Sequence, residues 1–494
     1  MPKPDSPAPS TPHDVHERER IADLRPSSWA NPEPAGSYPL VVLGAGFAGL
    51  AAAETAAARG VKVALVERGL IGGTCINIGC VPSKAIIRTS RLYAEMRDAA
   101  RYGAQVPSAI RHDFGATMER VRRIRARLGR PNSVRRLAAA GVDVFFGDAR
   151  FAGPRALTVD GTTLRFDKAV IATGARPNPP AIPGLEEAGY LTNETMFEIT
   201  ELPRRLLVIG GGPIGCEQAQ AFCRLGAHTT IVQIKPLFLE REERDAAQIL
   251  STALARDGVE VRLNTAVRSV RTENGAIRVD LVSDDYHNTI EVDAILAGVG
   301  RTPNVEGLEL EAAGVDHEVG KGVHVDDFLR TSNRRIHAAG DVCLEDKYGH
   351  TAAVSGEMAA RNALFRGRER WSKLVIPWVT FTDPEIAHVG IHVREANRRG
   401  IPVKTFTVLM HEVDRAVTDS EETGFVKINV REGTDKILGA TIVARHAGDM
   451  INEITLAMVA KIGLQTLASV MHTYDTQAEA IQKAAKALVD GKND

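Results

Sequence analysis

Two glycine-rich loops, each set between an apolar strand and a helix, constrain this chain more than any other feature. Pro39-Leu40-Val41-Val42-Leu43 is the short, continuously apolar run expected of a parallel strand covered on both faces. Gly44-Ala45-Gly46-Phe47-Ala48-Gly49 follows at once. An Ala-rich helix then reads from Leu50 to Arg59, and a second apolar strand, Val61 to Val66, ends in Glu67. Each residue type has a reason. Gly44 permits the tight turn, Gly46 lets backbone approach a pyrophosphate, and Gly49 lets the helix pack on the strand. The helix N-terminus offers unpaired N–H groups and the positive end of its dipole to phosphate. Glu67, 23 residues beyond Gly44, is placed to accept from ribose hydroxyls. The pattern then repeats: strand Leu206 to Ile209, loop Gly210-Gly211-Gly212-Pro213-Ile214-Gly215, helix to about Leu225, strand Thr229 to Val232, and then Gln233. Two dinucleotide-binding units in one chain predict an α/β fold with two Rossmann-like domains.

The second unit differs at its ribose position. An acid there would bond a 2′-hydroxyl and repel a 2′-phosphate, but this chain has Gln233, with Lys235, Arg241 and Arg244 following. That pattern leans toward NADPH and leaves NADH possible.

Between the units stands Gly72-Gly73-Thr74-Cys75-Ile76-Asn77-Ile78-Gly79-Cys80-Val81-Pro82-Ser83-Lys84. Two cysteines five apart diverge on a regular helix, whereas a turn at Gly79 could bring their Cα atoms into disulfide range. Five cysteines in 494 residues are too few for a disulfide scaffold. The pair therefore reads first as redox chemistry, with a structural disulfide, or a zinc half-site lacking a matching second pair, as alternatives. A dithiol beside a bound cofactor stores two electrons, and a nearby cation lowers a thiol pKa. Cys216, Cys223 and Cys343 read as packing residues.

The Gly72–Lys84 segment, flanked by both loops, resembles the flavin-dependent pyridine nucleotide–disulfide oxidoreductases. Further motifs of that family stand at Ala172-Thr173-Gly174, Gly300-Arg301-Thr302-Pro303-Asn304, Ala339-Gly340-Asp341, Phe381-Thr382-Asp383-Pro384-Glu385 and Val389-Gly390, so the resemblance runs from Pro39 to the C-terminus. It implies FAD on the first unit, held by Gly44, Gly46, Gly49, Glu67, Gly73, Thr74, Lys84, Thr173, Gly174 and Asp341. It implies a nicotinamide cofactor on the second, held by Gly210, Gly212, Gly215, Gln233, Lys235 and Gly300. By the same resemblance, Asp341 holds the flavin's ribityl chain, Cys80 lies against the flavin and exchanges electrons with it, and Cys75 attacks or binds the substrate. Lys84 would sit near the flavin and pair with Glu217. Cys80 and Lys84 are one helical turn apart, which allows that placement.

The C-terminal region bears on substrate. Disulfide-reducing members carry His-x-His-Pro-Thr-x-x-Glu, which supplies from the partner subunit a base held by the glutamate. Here the text is His472-Thr473-Tyr474-Asp475-Thr476-Gln477-Ala478-Glu479, with Tyr474 at the base position and Glu479 behind it. A phenol with a pKa of about 10 is a poor proton shuttle at neutral pH, and imidazole is suited to the task. The two-residue offset of His472 leaves it a surface or packing role. Tyrosine at this position resembles mercuric reductases, in which soft Cys75 and Cys80 thiolates would bind Hg(II) transiently as substrate. The expected activity is FAD-dependent transfer of two electrons from NADPH, through the dithiol, to a metal ion such as Hg(II). Two departures stand against that pattern: the run Ala484 to Asp494 has no vicinal cysteine pair, and the Pro-rich N-terminal stretch has none either. Pro213 also stands where some members have tyrosine. The alternatives are a disulfide reductase such as dihydrolipoamide dehydrogenase, a reductase of another metal or a quinone, and, from another class, a redox-sensing flavoprotein acting on a protein partner.

The expected organisation is a mobile Pro-rich tail over 1–37, with a short helix near Ile21, and the first part of the FAD domain over 38–189. A nicotinamide domain follows over 190–300, then a central segment over 301–370 that completes the FAD domain, and an α+β dimerisation domain over 371–494. If Tyr474 works opposite the partner's Cys75, the smallest active unit is a homodimer. The 61 Lys and Arg nearly cancel the 62 Asp and Glu, which argues against a nucleic-acid partner. The uncharged run Gly36 to Ala53 has membrane length but contains the first glycine loop, and no apolar signal region precedes it. A cytoplasmic enzyme with no membrane partner is therefore expected.

Overall fold

The computed structural model describes residues 14–107, 110–284, 286–365 and 367–491, so the proline run before residue 13 and His13 lie outside the described residues. The first sheet is built around strand Tyr38–Leu43, which pairs in parallel with Val63–Glu67 on one side and Thr162–Ile171 on the other. Val142–Phe146 extends it beyond Val63–Glu67. Leu40, Val41, Val42, Val63, Ala64 and Leu65 are all inaccessible to solvent, as a doubly covered parallel sheet requires. The segment carrying Asp341 returns to this sheet, because Ile336–Ala338 pairs in parallel with the end of Thr162–Ile171. Helix Gly349–Leu364 then crosses helix Phe47–Ala57 at small-residue distance. A β-carbon added at Gly356 would lie 2.0 Å from the Ala48 carbonyl oxygen.

The second sheet has the parallel order Glu260–Arg262, His228–Val232, Arg205–Ile209, Ala294–Ala297. Both units start their helices inside the glycine loop, at Phe47 and Pro213, with Gly46 and Gly212 extended just before them. Proline at the first helical position loses only an N–H that the helix would leave unpaired. The C-terminal layer is an antiparallel five-stranded sheet in the order Pro377–Thr380, Glu385–Gly390, Ile437–Ala444, Phe425–Arg431, Val403–Leu409. Helices Ala447–Ala460 and Glu479–Val489 pack on it through a shared core that includes Ile451, Ile454, Ile481 and Ala484.

The mobile tail expected over 1–37 needs correction from residue 14 onward, where it is described. Helix Val15–Leu24 covers the position of the short helix expected near Ile21, but it is docked rather than mobile. Leu24 is fully buried, a contribution of about 1.5–3 kcal/mol. In the run Glu17-Arg18-Glu19-Arg20 the middle pair faces solvent and the outer pair turns inward: Glu17 bonds Arg20 and Arg125, and Arg125 also bonds Glu198 at 2.7 Å. Glu17, Arg20 and Arg125 are all buried. Among the described residues no helix is long and apolar enough to cross a membrane.

Candidate active site

The first glycine loop has the backbone that its sequence demands. Gly44 sits at φ +97, and a β-carbon on Gly49 would stand 1.7 Å from the Gly44 carbonyl oxygen. The second loop repeats both features, with Gly210 at φ +110 and a Gly215 β-carbon 2.1 Å from the Gly210 oxygen. Gly46 faces Gly73 backbone to backbone, so that a β-carbon on Gly73 would lie 2.6 Å from the Gly46 Cα. Nothing lies within 4 Å of the β-carbon direction at Gly212. These helix N-termini, stripped of side chains, fit pyrophosphates. Glu67 ends its strand with one carboxylate oxygen accepting from the Ala45 N–H and the other from the Gly69 N–H, both at 2.7 Å, and so holds the loop's shape.

The cysteines lie on two separate helices, Gly73–Asn77 and Cys80–Asp98, broken at Ile78 and Gly79. The break sets the sulfurs 3.0 Å apart with no bond between them, Cys75 half-buried and Cys80 exposed. One turn along, Lys84 Nζ donates to Glu217 Oε2 at 2.9 Å and lies 4.3 Å from the Phe381 ring centre. Glu217, only 5% exposed, uses its other oxygen to accept from the Phe381 N–H at 2.9 Å. One carboxylate thus joins the cysteine helix, the second glycine-loop helix and the C-terminal layer.

The two thiols are driven apart in acidity. The hydrogen bond from Cys75, and then the Lys84 ammonium, lower Cys80 to about 7. The same hydrogen bond, burial and the Asp341 carboxylate push Cys75 up. Cys80 therefore carries the first negative charge of the pair. Alkylation of the reduced pair with iodoacetamide is expected to rise through a midpoint near pH 7. Below it Cys80 is protonated and unreactive. Lys84→Met removes a cation that favours the thiolate, so its midpoint should move up toward the ordinary thiol value of about 8.5; a stationary midpoint would dissociate Lys84 from the thiolate.

Asp341 is paired with Arg301, Nη1 to Oδ2 at 2.7 Å, and burial raises its pKa. Arg301 also donates to the Lys347 carbonyl. The motif at 172–174 meets the one at 300–304: Thr173 Oγ1 donates to the Asn304 carbonyl at 2.8 Å, and the Asn304 side chain donates back to the Thr173 carbonyl at 2.9 Å. Gly174 at φ +70 accepts from the Asn304 N–H, and Gly300 at φ +101 turns the chain into that pairing. The Thr74 carbonyl ends the first cysteine helix by accepting from the Ile78 N–H. Arg301 as Asp341's partner, the Phe381 N–H and Gly349 were missing from the sequence reading. A β-carbon on Gly349 would come within 3.1 Å of the Cys75 sulfur.

Several expected residues have partners within the chain. Lys235 pairs with Glu240 at 2.7 Å, Arg241 with Asp346 at 3.0 Å, and Arg244 donates to the Phe238, Leu239 and Glu242 carbonyls. The basic cluster behind the NADPH expectation is thus engaged by its own neighbours, while Gln233 folds back to the Gly211 N–H and the Leu237 carbonyl. Tyr474 is 73% exposed, its hydroxyl donating to Asp414 at 3.2 Å, and Glu479 stands 3.6 Å from Lys483. Among the described residues, neither contacts the cysteines of its own chain. His472 pairs with Glu453 at 2.9 Å, a packing role. Burial pushes the thiols of Cys216, Cys223 and Cys343 up, away from reactivity.

Two side-chain-free helix N-termini and an asymmetric dithiol between them define an oxidoreductase with two dinucleotide sites. The family described as pyridine nucleotide-disulphide oxidoreductase matches residues 38–367, and its dimerisation domain matches residues 376–485. The chain belongs to this family, whose members are FAD-dependent and take electrons from NAD(P)H. It is 34% identical over 450 residues to a mercuric reductase of Staphylococcus aureus, covering 91% of this chain and 82% of that one. It is 33% identical over 456 residues to a dihydrolipoyl dehydrogenase of Thermus scotoductus, covering 92% and 97%. A solved Cu(II) complex of the HOCl-induced flavoprotein disulfide reductase RclA from Escherichia coli aligns with TM-score 0.81 at 28% identity, covering 90% and 98%. The dimerisation-domain match supports a homodimer, and the C-terminal layer leaves Leu456, Val459, Met471 and Tyr474 exposed, a face that subunit contact would cover.

Proposed function

We propose that the chain reduces a soft metal ion such as Hg(II), taking two electrons from NAD(P)H. The observation that carries this reading is the pairing of an asymmetric dithiol with a tyrosine where a proton-shuttling base would be needed for a disulfide. The Asp414 carboxylate accepts a hydrogen bond from the Tyr474 hydroxyl and holds the phenol's pKa above its usual value. Tyr474 can then donate a hydrogen bond at neutral pH but cannot cycle a proton. Thiolates suit a soft cation, which needs no proton relay.

In this reading Gly44, Gly46, Gly49, Gly73 and Glu67 would shape the flavin's pyrophosphate and ribose site, with Thr74, Thr173, Gly174 and Asp341 along it. Gly210, Gly212, Gly215, Gln233 and Gly300 would serve the nicotinamide cofactor. The flavin supplies a two-electron connection between nicotinamide and dithiol. Lys84 would favour the Cys80 thiolate, Glu217 would hold Lys84 in place, and Cys75 would lose its proton as the pair takes the metal ion. The net change is NAD(P)H and Hg(II) to NAD(P)⁺, a proton and Hg(0). The mercuric reductase relative and the Cu(II) complex of RclA support a metal substrate, and the dihydrolipoyl dehydrogenase relative keeps the disulfide alternative in view.

The test is anaerobic oxidation of NADPH and of NADH by the FAD-replete protein, with Hg(II) in excess thiol and with lipoamide in parallel. Metal-dependent turnover is expected, with lipoamide slower by about 100-fold, the span of general acid–base catalysis. Lipoamide turnover without a response to Hg(II) would return the chain to the disulfide reductases.

A further inference from the structure

Helix Val15–Leu24 lies outside both segments that match the family, yet it reaches into the cysteine loop. Arg20 Nη1 donates to Asn77 Oδ1 at 2.6 Å, and both residues are 5% exposed. Asn77 sits between the two cysteines, two residues after Cys75. Its amide nitrogen donates to the Ile71 carbonyl at 3.1 Å and the Gly73 carbonyl at 3.0 Å, tying both ends of the short helix that carries Cys75. Arg20 is itself fixed by two hydrogen bonds to Glu17, which a third, from Arg125, holds from the other side. Arg125 is fully buried.

We infer that Arg20 is a positioning residue for the Cys75/Cys80 couple: through Asn77 it fixes the turn bearing Cys75 and so sets how readily the pair closes to a disulfide. The inference rests on the pair being redox-active, as proposed above. Two thiols 3.0 Å apart must close to about 2.05 Å, and the equilibrium depends on how well the chain holds one sulfur at the other. With Arg20 removed, the Asn77 side chain loses its anchor, the helix Gly73–Asn77 samples more orientations, and the effective concentration of Cys75 at Cys80 falls.

The experiment equilibrates the full-length, FAD-replete protein in dithiothreitol buffers and counts alkylated thiols by mass. In that exchange dithiothreitol loses two electrons and two protons as its ring closes, and the Cys75–Cys80 disulfide takes them and opens to two thiols. Arg20→Ala is expected to lower the constant for disulfide formation about tenfold, or about 30 mV for a two-electron couple. Asn77→Ala should act in the same direction, and the double variant should be no worse than either single one. Arg122→Ala cuts a different anchor of the helix, at Asp14, and should lower Tm while leaving the constant alone. If the alanine variant at 20 does not fold, Arg20→Lys, which keeps the charge beside Glu17 without the planar donor fork, carries the comparison. A folded Arg20 variant within twofold of wild type overturns the inference, as does strict additivity or an equal shift in Arg122→Ala. A wild-type pair that never cycles overturns the redox reading itself, which is a distinguishable failure.

Discussion

Cys75→Ala is expected to lower turnover with Hg(II) or with a disulfide by at least about 10³-fold, because on the proposed reading the group that takes the substrate is gone and Cys80 is left without a second thiol to complete the pair. Cys216, Cys223 and Cys343 are held protonated by burial. The variant has a second signature. The hydrogen bond from Cys75 is the largest influence lowering Cys80, so its removal should carry the Cys80 alkylation midpoint upward from about 7 even with Lys84 in place. Steady-state NADPH oxidation measures the first effect and the alkylation pH profile the second. Turnover within tenfold of wild type would show that electrons leave the protein by another route. A lost turnover with an unmoved midpoint would show that Cys75 acts on substrate without tuning its neighbour.

The parts of this site that were legible in the sequence are those in which local backbone dictates residue type. Gly44 and Gly49 are forced by a positive φ and by a helix-to-strand approach that no side chain could survive. The same holds for Gly210 and Gly215, so the two dinucleotide units could be located before any contact was known. Lys84–Glu217, 133 residues apart in sequence, came only through the family resemblance. What stayed hidden were side-chain contacts across long separations with no local signature. Phe381 to Glu217 spans 164 residues, and Arg20 to Asn77 spans 57. The N-terminal helix misled for a physical reason. A run such as Glu17-Arg18-Glu19-Arg20 reads as solvated because burying charge is costly, and for Glu17 and Arg20 the cost is met by their own pairing and by partners at 77 and 125 that the run itself does not reveal. The surroundings of the basic residues after Gln233 were hidden in the same way: their charge is visible in sequence, but their engagement with Glu240, Asp346 and backbone carbonyls is not.

Tyr474→His is expected to raise lipoamide turnover by about 100-fold and to do little for Hg(II). Thiol–disulfide exchange needs a group that removes a proton from the attacking thiol and returns one to the leaving thiol. The Tyr474 phenol, with Asp414 raising its pKa further, stays protonated throughout the neutral range and can do neither. An imidazole with a pKa of about 6.5 can do both, and its contribution is typically about 10²–10⁴-fold. The new rate should rise as pH passes through about 6.5, where the imidazole loses its proton and becomes a base. Asp414 beside it would favour the protonated ring and shift that rise upward. Metal reduction gains nothing from the change, since a bound cation replaces the thiol protons without a shuttle. The exposed position of Tyr474, away from its own chain's cysteines, adds a condition: the gain must require a dimer. Mixing wild type with a Cys75→Ala, Tyr474→His double variant should therefore give the raised lipoamide activity in the heterodimer alone, whose one intact Cys75 lies opposite the partner's histidine while its own chain keeps tyrosine. A gain that survives in a monomer would place the residue in the wrong subunit, and no gain at all would mean that the missing base is not what separates this chain from the disulfide reductases.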